Sequence, residues 1–460
     1  MSFLIVLAAL ALLMMVAYRG YSVILFAPLC ALLAVLLTHP SDALPMFALF
    51  MDKTAGFLKN YFPVFMLGAI FGKVIEIAGF SKAIVSELIR IIGAKRSILA
   101  IVLVCAVLTY GGVSLFVVVF AVYPFASELF KLSNIPKRLI PGTIALGSFT
   151  FTMDSLPGSP QIQNIIPTTF FKTDTWAAPW LGVVGSIFIL IFGLSYLEFR
   201  RRQAAALGEG YGTGHLNEPE AFAAERLPNP IIALIPLALV AVINKILSVQ
   251  IPRQFGKTIS IGPANDLLVI DVSKSAAIWA VEIALVAGIL AVVAFAYKQV
   301  AAKFAEGSRA AISGALLAAM NTASEYGFGG VIAALPGFLL ISDALTKIPN
   351  PLINEAVTVT VLAGITGSAS GGMSIALAAM AKTFIESANA SHIPLEVLHR
   401  IASMASGGMD TLPHNGAVIT LLAVTGLTHR TSYRDIFAIT LIKTCAVFVV
   451  IAFYYATGIY

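Results

Sequence analysis

Two short stretches carry the chemistry that this sequence offers. MDSLPGSP, Met153 to Pro160, returns as MDTLPHNG, Met409 to Gly416. Each copy places an aspartate, a hydroxyl side chain and a proline inside a long apolar run. Pro157 and Pro160 remove backbone donors and obstruct a helix, and Gly158 permits turn geometry. The chain should therefore break near Asp154–Pro160 and again near Asp410–Gly416. A break at mid-membrane leaves free N–H groups on one half-helix and free carbonyls on the other. Half-helix N-termini attract anions, and exposed carbonyls attract cations or donors. The groups placed to bind an anion are Ser114, Ser155, Ser159, Ser368, Ser370 and Thr411, with Asn415, His414 and the backbone at Gly112, Gly158 and Gly371. No arginine lies in the central part of any run, so such a site suits one carboxylate with a hydroxyl or two. Asp154, Asp410, His414 and Glu325 are the candidates for carrying a coupled proton, because burial in a membrane favours the neutral carboxyl. Asp154 and Asp410 have an equal claim to a structural role, capping free N–H groups at a turn. His414 and Glu325 have no matching polar residue in the other half, which fits an asymmetric task. Lys73, Glu76, Lys382, Glu386 and Lys443 lie nearer run ends, where snorkelling is expected.

The elements that must position these residues follow from composition. The 460-residue chain is 59% hydrophobic and 11% charged, against about 25% charged in soluble domains. Its apolar runs are continuous and about 20 residues long, the length of a membrane-crossing helix. This predicts an all-α polytopic membrane protein, with strands not expected. The net charge of +6 sits in short clusters between runs, the pattern of cytoplasmic loops and not of nucleic-acid binding. Cys30, Cys105 and Cys445 lie in apolar segments without disulfide or metal spacing. The N-terminal run reads as a first membrane helix and not as a removed signal.

Runs at 98–130 and 355–387 are too long for one crossing and too short for two. Their glycine-serine centres, YGGVS at Tyr110–Ser114 and GSASGGMS at Gly367–Ser374, predict re-entrant hairpins, which survive only where protein or water surrounds them. With the broken runs at 139–171 and 396–428 they form a repeat offset by about 260 residues, the internal symmetry of secondary transporters. Clusters at Lys82, Lys95 and Arg96, at Lys131, Lys137 and Arg138, at Phe199–Arg202, at Lys298, Lys303 and Arg309, and at Arg19 and Arg430/Arg434 should be cytoplasmic. The loops around 39–59, 248–274 and 343–354 should be outside, as should both termini. The halves are then inverted. The expected organisation is scaffold helices at 1–59, a first repeat at 60–200, a flexible cytoplasmic linker at 201–229, linking scaffold helices at 230–309, and a second repeat at 310–460. The linker glycines in GEGYGTG, Gly208 to Gly214, lack the strand and helix of a nucleotide-binding fingerprint, so no cofactor is expected.

LGAIFGKVIEIAGFSKAI at Leu67–Ile84 and LPGSPQIQNIIP at Leu156–Pro167 give the chain its resemblance to the gluconate permease (gluconate:proton symporter) family, within the ion-transporter superfamily. The resemblance implies proton-coupled uptake of a small hydroxy-acid anion across the inner membrane, a homodimer, and an elevator-like movement of the site-bearing domain. The wall after the second break, MDTLPHNGAVITLL at Met409–Leu422, is less polar than in sugar-acid members. The expected substrate is accordingly a short hydroxy monocarboxylate such as 3-hydroxybutyrate, with gluconate or a related sugar acid as the alternative.

Other classes fit less well. GGMD at Gly407–Asp410 is not the GxGD of intramembrane aspartyl proteases. A channel has no need of an inverted repeat with broken helices. A primary pump would need a phosphate loop, and FGKT at Phe255–Thr258 lacks the upstream glycine. Sodium in place of the proton stays open.

Overall fold

The computed structural model describes residues 2–19, 21–93, 96–219, 227–262, 268–338, 348–413 and 415–460. Two helices, α1 (Ser2–Tyr18) and α2 (Val23–Thr38), lead into α3 (Ala43–Ile77) and α4 (Phe80–Ile92). The first hairpin is α5 (Ser97–Tyr110) and α6 (Leu115–Leu132). The first broken run is α7 (Ile140–Ser148), a single turn α8 (Phe151–Asp154) and α9 (Ile162–Phe171), followed by α10 (Pro179–Ala206). Beyond the linker come α11 (Pro230–Phe255), α12 (Val272–Phe295) and α13 (Tyr297–Ala334). The second hairpin is α14 (Pro351–Thr366) and α15 (Ala369–Ala390); the second broken run is α16 (Leu395–Ser406) and α17 (Gly416–Thr425); α18 (His429–Thr457) closes the chain. Among the described residues five helices are long and apolar enough to cross a membrane.

The helices repeat in register. α3 and α13 start at Ala43 and Tyr297, α5 and α14 at Ser97 and Pro351, α6 and α15 at Leu115 and Ala369, α9 and α17 at Ile162 and Gly416. Each pair is 254 residues apart (297 − 43, 351 − 97, 369 − 115, 416 − 162). α3 and α13 also pack on each other. A Cβ at Gly307 would meet Ile77 and Lys73, and one at Gly327 would meet Thr54 and Phe50, so the two helices run antiparallel.

Three expectations need correction. The boundaries at 59/60 and 309/310 fall inside α3 and α13, each a single helix. The basic residues Lys298, Lys303 and Arg309 lie in an alanine-rich stretch of high helix propensity, so the helix runs through them. Strands do occur: β1 (Thr258–Ile261) pairs antiparallel with β2 (Leu268–Asp271), outside the apolar runs, where β-branched residues favour a hairpin. The linker is not a loose tether over its described part. Tyr211 N–H donates to Asn134 Oδ1 at 3.1 Å, Lys137 Nζ donates to Leu216 O at 2.7 Å, and Asn217 Nδ2 donates to Ala423 O at 2.9 Å. Glu218 pairs with Lys131 and, at 2.8 Å, with the fully buried Lys137. Residues 208–218 thus strap α6 to α17.

Charged side chains cluster at two sets of helix ends. Arg138, Arg200, Glu209 and Asp435 gather at one end, with Arg200 Nε 2.7 Å from Asp435 Oδ1 and Arg138 Nε 2.6 Å from Glu209 Oε1. Lys172 faces Asp271 at 3.9 Å at the other end. Lys95, residues 220–226 and residues 343–347 of the 343–354 loop lie outside the described residues.

Candidate functional site

Each hairpin tip is bound to the break of its own half by one amide side chain. Gln161, the residue before α9, donates to Thr109 O at 2.7 Å and Val113 O at 3.4 Å in the first tip. Asn415, the residue before α17, donates to Gly367 O at 2.7 Å in the second. Its Oδ1 meanwhile accepts from Val418 N–H at 2.9 Å and caps α17. Tyr110 O–H adds a bond to Pro157 O at 2.9 Å. The tips form where glycine was expected to allow them. Gly112 has φ +94° and Gly367 φ +65°, values that side chains with a Cβ rarely adopt. Ser368 then caps α15 by accepting from Gly371 N–H at 3.1 Å.

The two breaks meet. The span between α7 and α9 and the span between α16 and α17 abut, because a Cβ at Gly407 would fall on Asp154 Oδ2. Ser403 Oγ donates to Asp154 O at 2.7 Å. Lys443, from α18, joins the breaks directly: its Nζ lies 2.5 Å from Asp410 Oδ1 and donates to Phe149 O at 2.9 Å. Lys443 is 2% exposed, so it does not snorkel. It turns inward because the second break supplies a carboxylate and the first supplies a free carbonyl. An isolated charge could not be held at that depth.

The expectation of a centre without arginine also fails. Arg400 is fully buried in α16. It donates to Ala177 O at 2.8 and 3.1 Å, to Asn164 Oδ1 at 3.0 Å, and to Asp154 O at 3.3 Å. His399, also buried, holds Thr173 Oγ1 at 2.6 Å and Asn164 Oδ1 at 3.2 Å. One signal for both is present in the sequence, a His-Arg pair two turns before the second break. Their place near a run end hid it.

The expected site residues divide. Asp154, Ser155, Ser159, Gly158, Asp410, Thr411 and Asn415 all belong to the joined breaks. Ser155 Oγ donates to Asp154 Oδ1 at 2.7 Å and Ser159 Oγ to Thr152 O at 2.8 Å, so both hydroxyl hydrogens serve the break itself. Asp154 ends α8 and opens no helix, so it caps none of the described helices. Thr411 Oγ1 meets Thr440 Oγ1 at 2.5 Å. Glu325 stands apart from Asp410. It is 4% exposed, and a Cβ at Gly371 would fall on its carboxylate. It therefore faces the second hairpin tip, beside Ser368 and Ser370, with Thr322 Oγ1 3.2 Å from Ser370 Oγ. Its Oε2 accepts no hydrogen bond. Gly112 packs on Pro160, and Ser114 precedes α6 without capping it. His414 lies outside the described residues. Lys73–Glu76 and Lys382–Glu386 form surface pairs at 2.9 and 3.8 Å, as their positions predict. Glu355, fully buried in α14 with both carboxyl oxygens unpartnered, was not singled out in the sequence, where it reads as part of a helix start.

A centre of this kind, two discontinuous helices braced by two hairpins, belongs to membrane transporters. The solved structure of the Alcanivorax borkumensis YdaH transporter is similar in fold, with a TM-score of 0.50 and 15% identity over 92% of this chain and 90% of that one. No family model matches the sequence. The "Uncharacterized transporter YxjC" of Bacillus subtilis (strain 168) is 60% identical over 471 aligned positions, covering all of both chains. The chain belongs to the family of that transporter, and it is a multi-pass membrane protein.

Proposed function

We propose that the protein is a secondary active transporter that moves a small hydroxy monocarboxylate, 3-hydroxybutyrate ahead of gluconate, together with a proton across the inner membrane. The observation that carries this reading is the meeting of both breaks and both hairpin tips in one buried polar centre. Such a centre is costly in a membrane unless it is used. Arg400 and Lys443 add buried cations to the amide dipoles, and a single carboxylate remains the anion that such a centre suits. Glu325 is the proposed proton carrier. It has no ion-pair partner among the described residues, and its counterpart 254 positions earlier is Phe71 (325 − 254 = 71), so the role is asymmetric. Asp410 is paired with Lys443, which fits a structural ion pair better than a protease carboxylate.

The halves are proposed to be inverted repeats that work as an elevator in a homodimer. The constant 254-residue offset and the antiparallel packing of α3 on α13 support the inversion. The family resemblance supports the elevator and the dimer.

The test is uptake of labelled 3-hydroxybutyrate into proteoliposomes under an inward proton gradient without sodium. Gradient-driven uptake that is lost in Glu325→Gln supports the proposal. Gluconate uptake alone overturns the substrate, and uptake only with sodium overturns the coupling ion.

A further inference from the structure

An open cleft of about 620 Å³ lies at the end of the molecule opposite the linker, between the loop after α9 and the helices α11 and α12. Lys172, Lys245 and Lys257 line it, with Asp174 and Glu396 among them. Its floor is the loop 173–178. Trp176 is the centre of that floor. Lys245 Nζ sits 4.7 Å from the ring centroid, and a Cβ at Gly158 would overlap the edge of the same ring. One indole thus separates the cleft from the first break. Asp174 Oδ1 accepts from Trp176 N–H at 2.7 Å and shapes the turn.

Under the floor the loop is held by Arg400. Its guanidinium donates to Ala177 O and, at 3.4 Å, to Thr175 O. The remaining acceptors are Asn164 Oδ1 and Asp154 O. Every one is neutral, and among the described residues no carboxylate lies within ion-pair distance. A buried guanidinium bonds an anion far better than it bonds carbonyls, and it does so in a bidentate fork. The same layer holds an unpartnered donor and an unpartnered acceptor. Trp176 Nε1 donates to nothing, and Asn244 Oδ1 accepts from nothing, although Asn244 Nδ2 reaches Gly158 O at 3.3 Å. A hydroxyl needs one acceptor and one donor, and both flank Gly158.

We propose that this cleft is the receiving site for the anionic substrate and that residues 173–178 are the gate beneath it. The gate opens when the substrate carboxylate takes Arg400 from the loop carbonyls, while the substrate hydroxyl takes Trp176 Nε1 and Asn244 Oδ1. This rests on the transport reading above and adds the side, the gate and the residues.

The test uses thiol labelling in membrane vesicles, in the full chain with the exposed Cys445 replaced by serine. Ser273→Cys reports on the cleft wall, with Ala276→Cys as a second position there, and Thr175→Cys reports beneath the floor. A membrane-impermeant maleimide added on the side away from the linker should label Ser273→Cys. Saturating 3-hydroxybutyrate, at about ten times its Kd, should slow that labelling about ten-fold and speed labelling of Thr175→Cys. Butane-1,3-diol, with the hydroxyl but no carboxylate, should change neither rate. Labelling of the cleft positions only from the linker side overturns the proposal. So do rates that no carboxylate changes in vesicles that transport 3-hydroxybutyrate. Rates that respond to gluconate and not to 3-hydroxybutyrate keep the gate and overturn the substrate.

Discussion

Residue by residue, the centre rests on buried cations that hydropathy could not reveal. Lys443 and Arg400 sit at run ends, where the ordinary behaviour of long basic side chains is to reach for water. The aspartates, serines and glycines of the breaks were legible because prolines and a repeat surround them. The cations were not, because their partners lie far away in sequence: Asp410 and Phe149 O for Lys443, and Asn164 with the carbonyls of Asp154, Thr175 and Ala177 for Arg400. The pairing of Asp410 with Lys443 gives a sharp expectation. Asp410→Asn leaves a buried ammonium without its counter-charge, which costs about 3–5 kcal/mol. Asp410→Asn with Lys443→Met removes both charges and should recover most of that loss. Thermal unfolding in detergent measures both. A double variant no more stable than Asp410→Asn alone would deny the pair its structural weight. Glu325→Gln should leave the unfolding temperature nearly unchanged, since its Oε2 accepts nothing, while abolishing the response of uptake to a proton gradient.

At the scale of elements, the hairpins and breaks were legible as runs of the wrong length with glycine at their centres. Their mutual ties were not, because Gln161 and Asn415 look in sequence like any polar residues after a break. Gly371→Ala tests the second tip: its Cβ would displace the Glu325 carboxylate, so uptake should be lost with the protein still monodisperse in size-exclusion chromatography. The linker reads in sequence as flexible because the residues that hold it, Asn134, Lys137 and Ala423, lie far away in the chain. At Gly210 the glycine permits close approach, since a Cβ there would meet the Asn134 side chain. Tyr211 and Glu218 do the holding. Partial burial raises the pKa of Glu218, but hydrogen bonds from Lys131, Lys137 and Tyr211 outweigh it and bring it from 4.5 to about 2. A carboxylate held below its unfolded value adds stability above that value and loses it as pH falls toward the folded one. The strap should therefore stay closed from pH 8 to pH 5 and loosen only between about 4.5 and about 2. Glu218→Gln should loosen it at neutral pH, seen as faster proteolysis within 203–219. Equal rates in the variant and the parent would show that the ion pairs do not hold the strap.

Across the whole molecule, α3 and α13 set the frame. α3 has 35 residues and at about 1.5 Å per residue is roughly 52 Å long, against a hydrocarbon core of about 30 Å. Both helices must therefore tilt or project from the bilayer, which is why sequence reading cut each into a loop and a shorter span. The repeat itself was legible, and the structure sharpens its offset to 254. Sidedness gives one further expectation. Cysteines placed at Gly208 or Gly214 should react only with reagent on the cytoplasmic side in oriented vesicles, and reaction from outside would reverse the topology proposed for every helix.

The strap bears on biogenesis. It fastens the connection between the two halves to both of them, through α6 on one side and α17 on the other, by bonds that do not depend on an unbroken chain. A gene split between Pro219 and Leu227 would leave Glu218 at the end of the first fragment, still held by Lys131 and Lys137, with Asn217 still offered to Ala423 of the second. The two fragments, made separately, should find each other in the bilayer and copurify, with the first fragment's new tail as the recognition element.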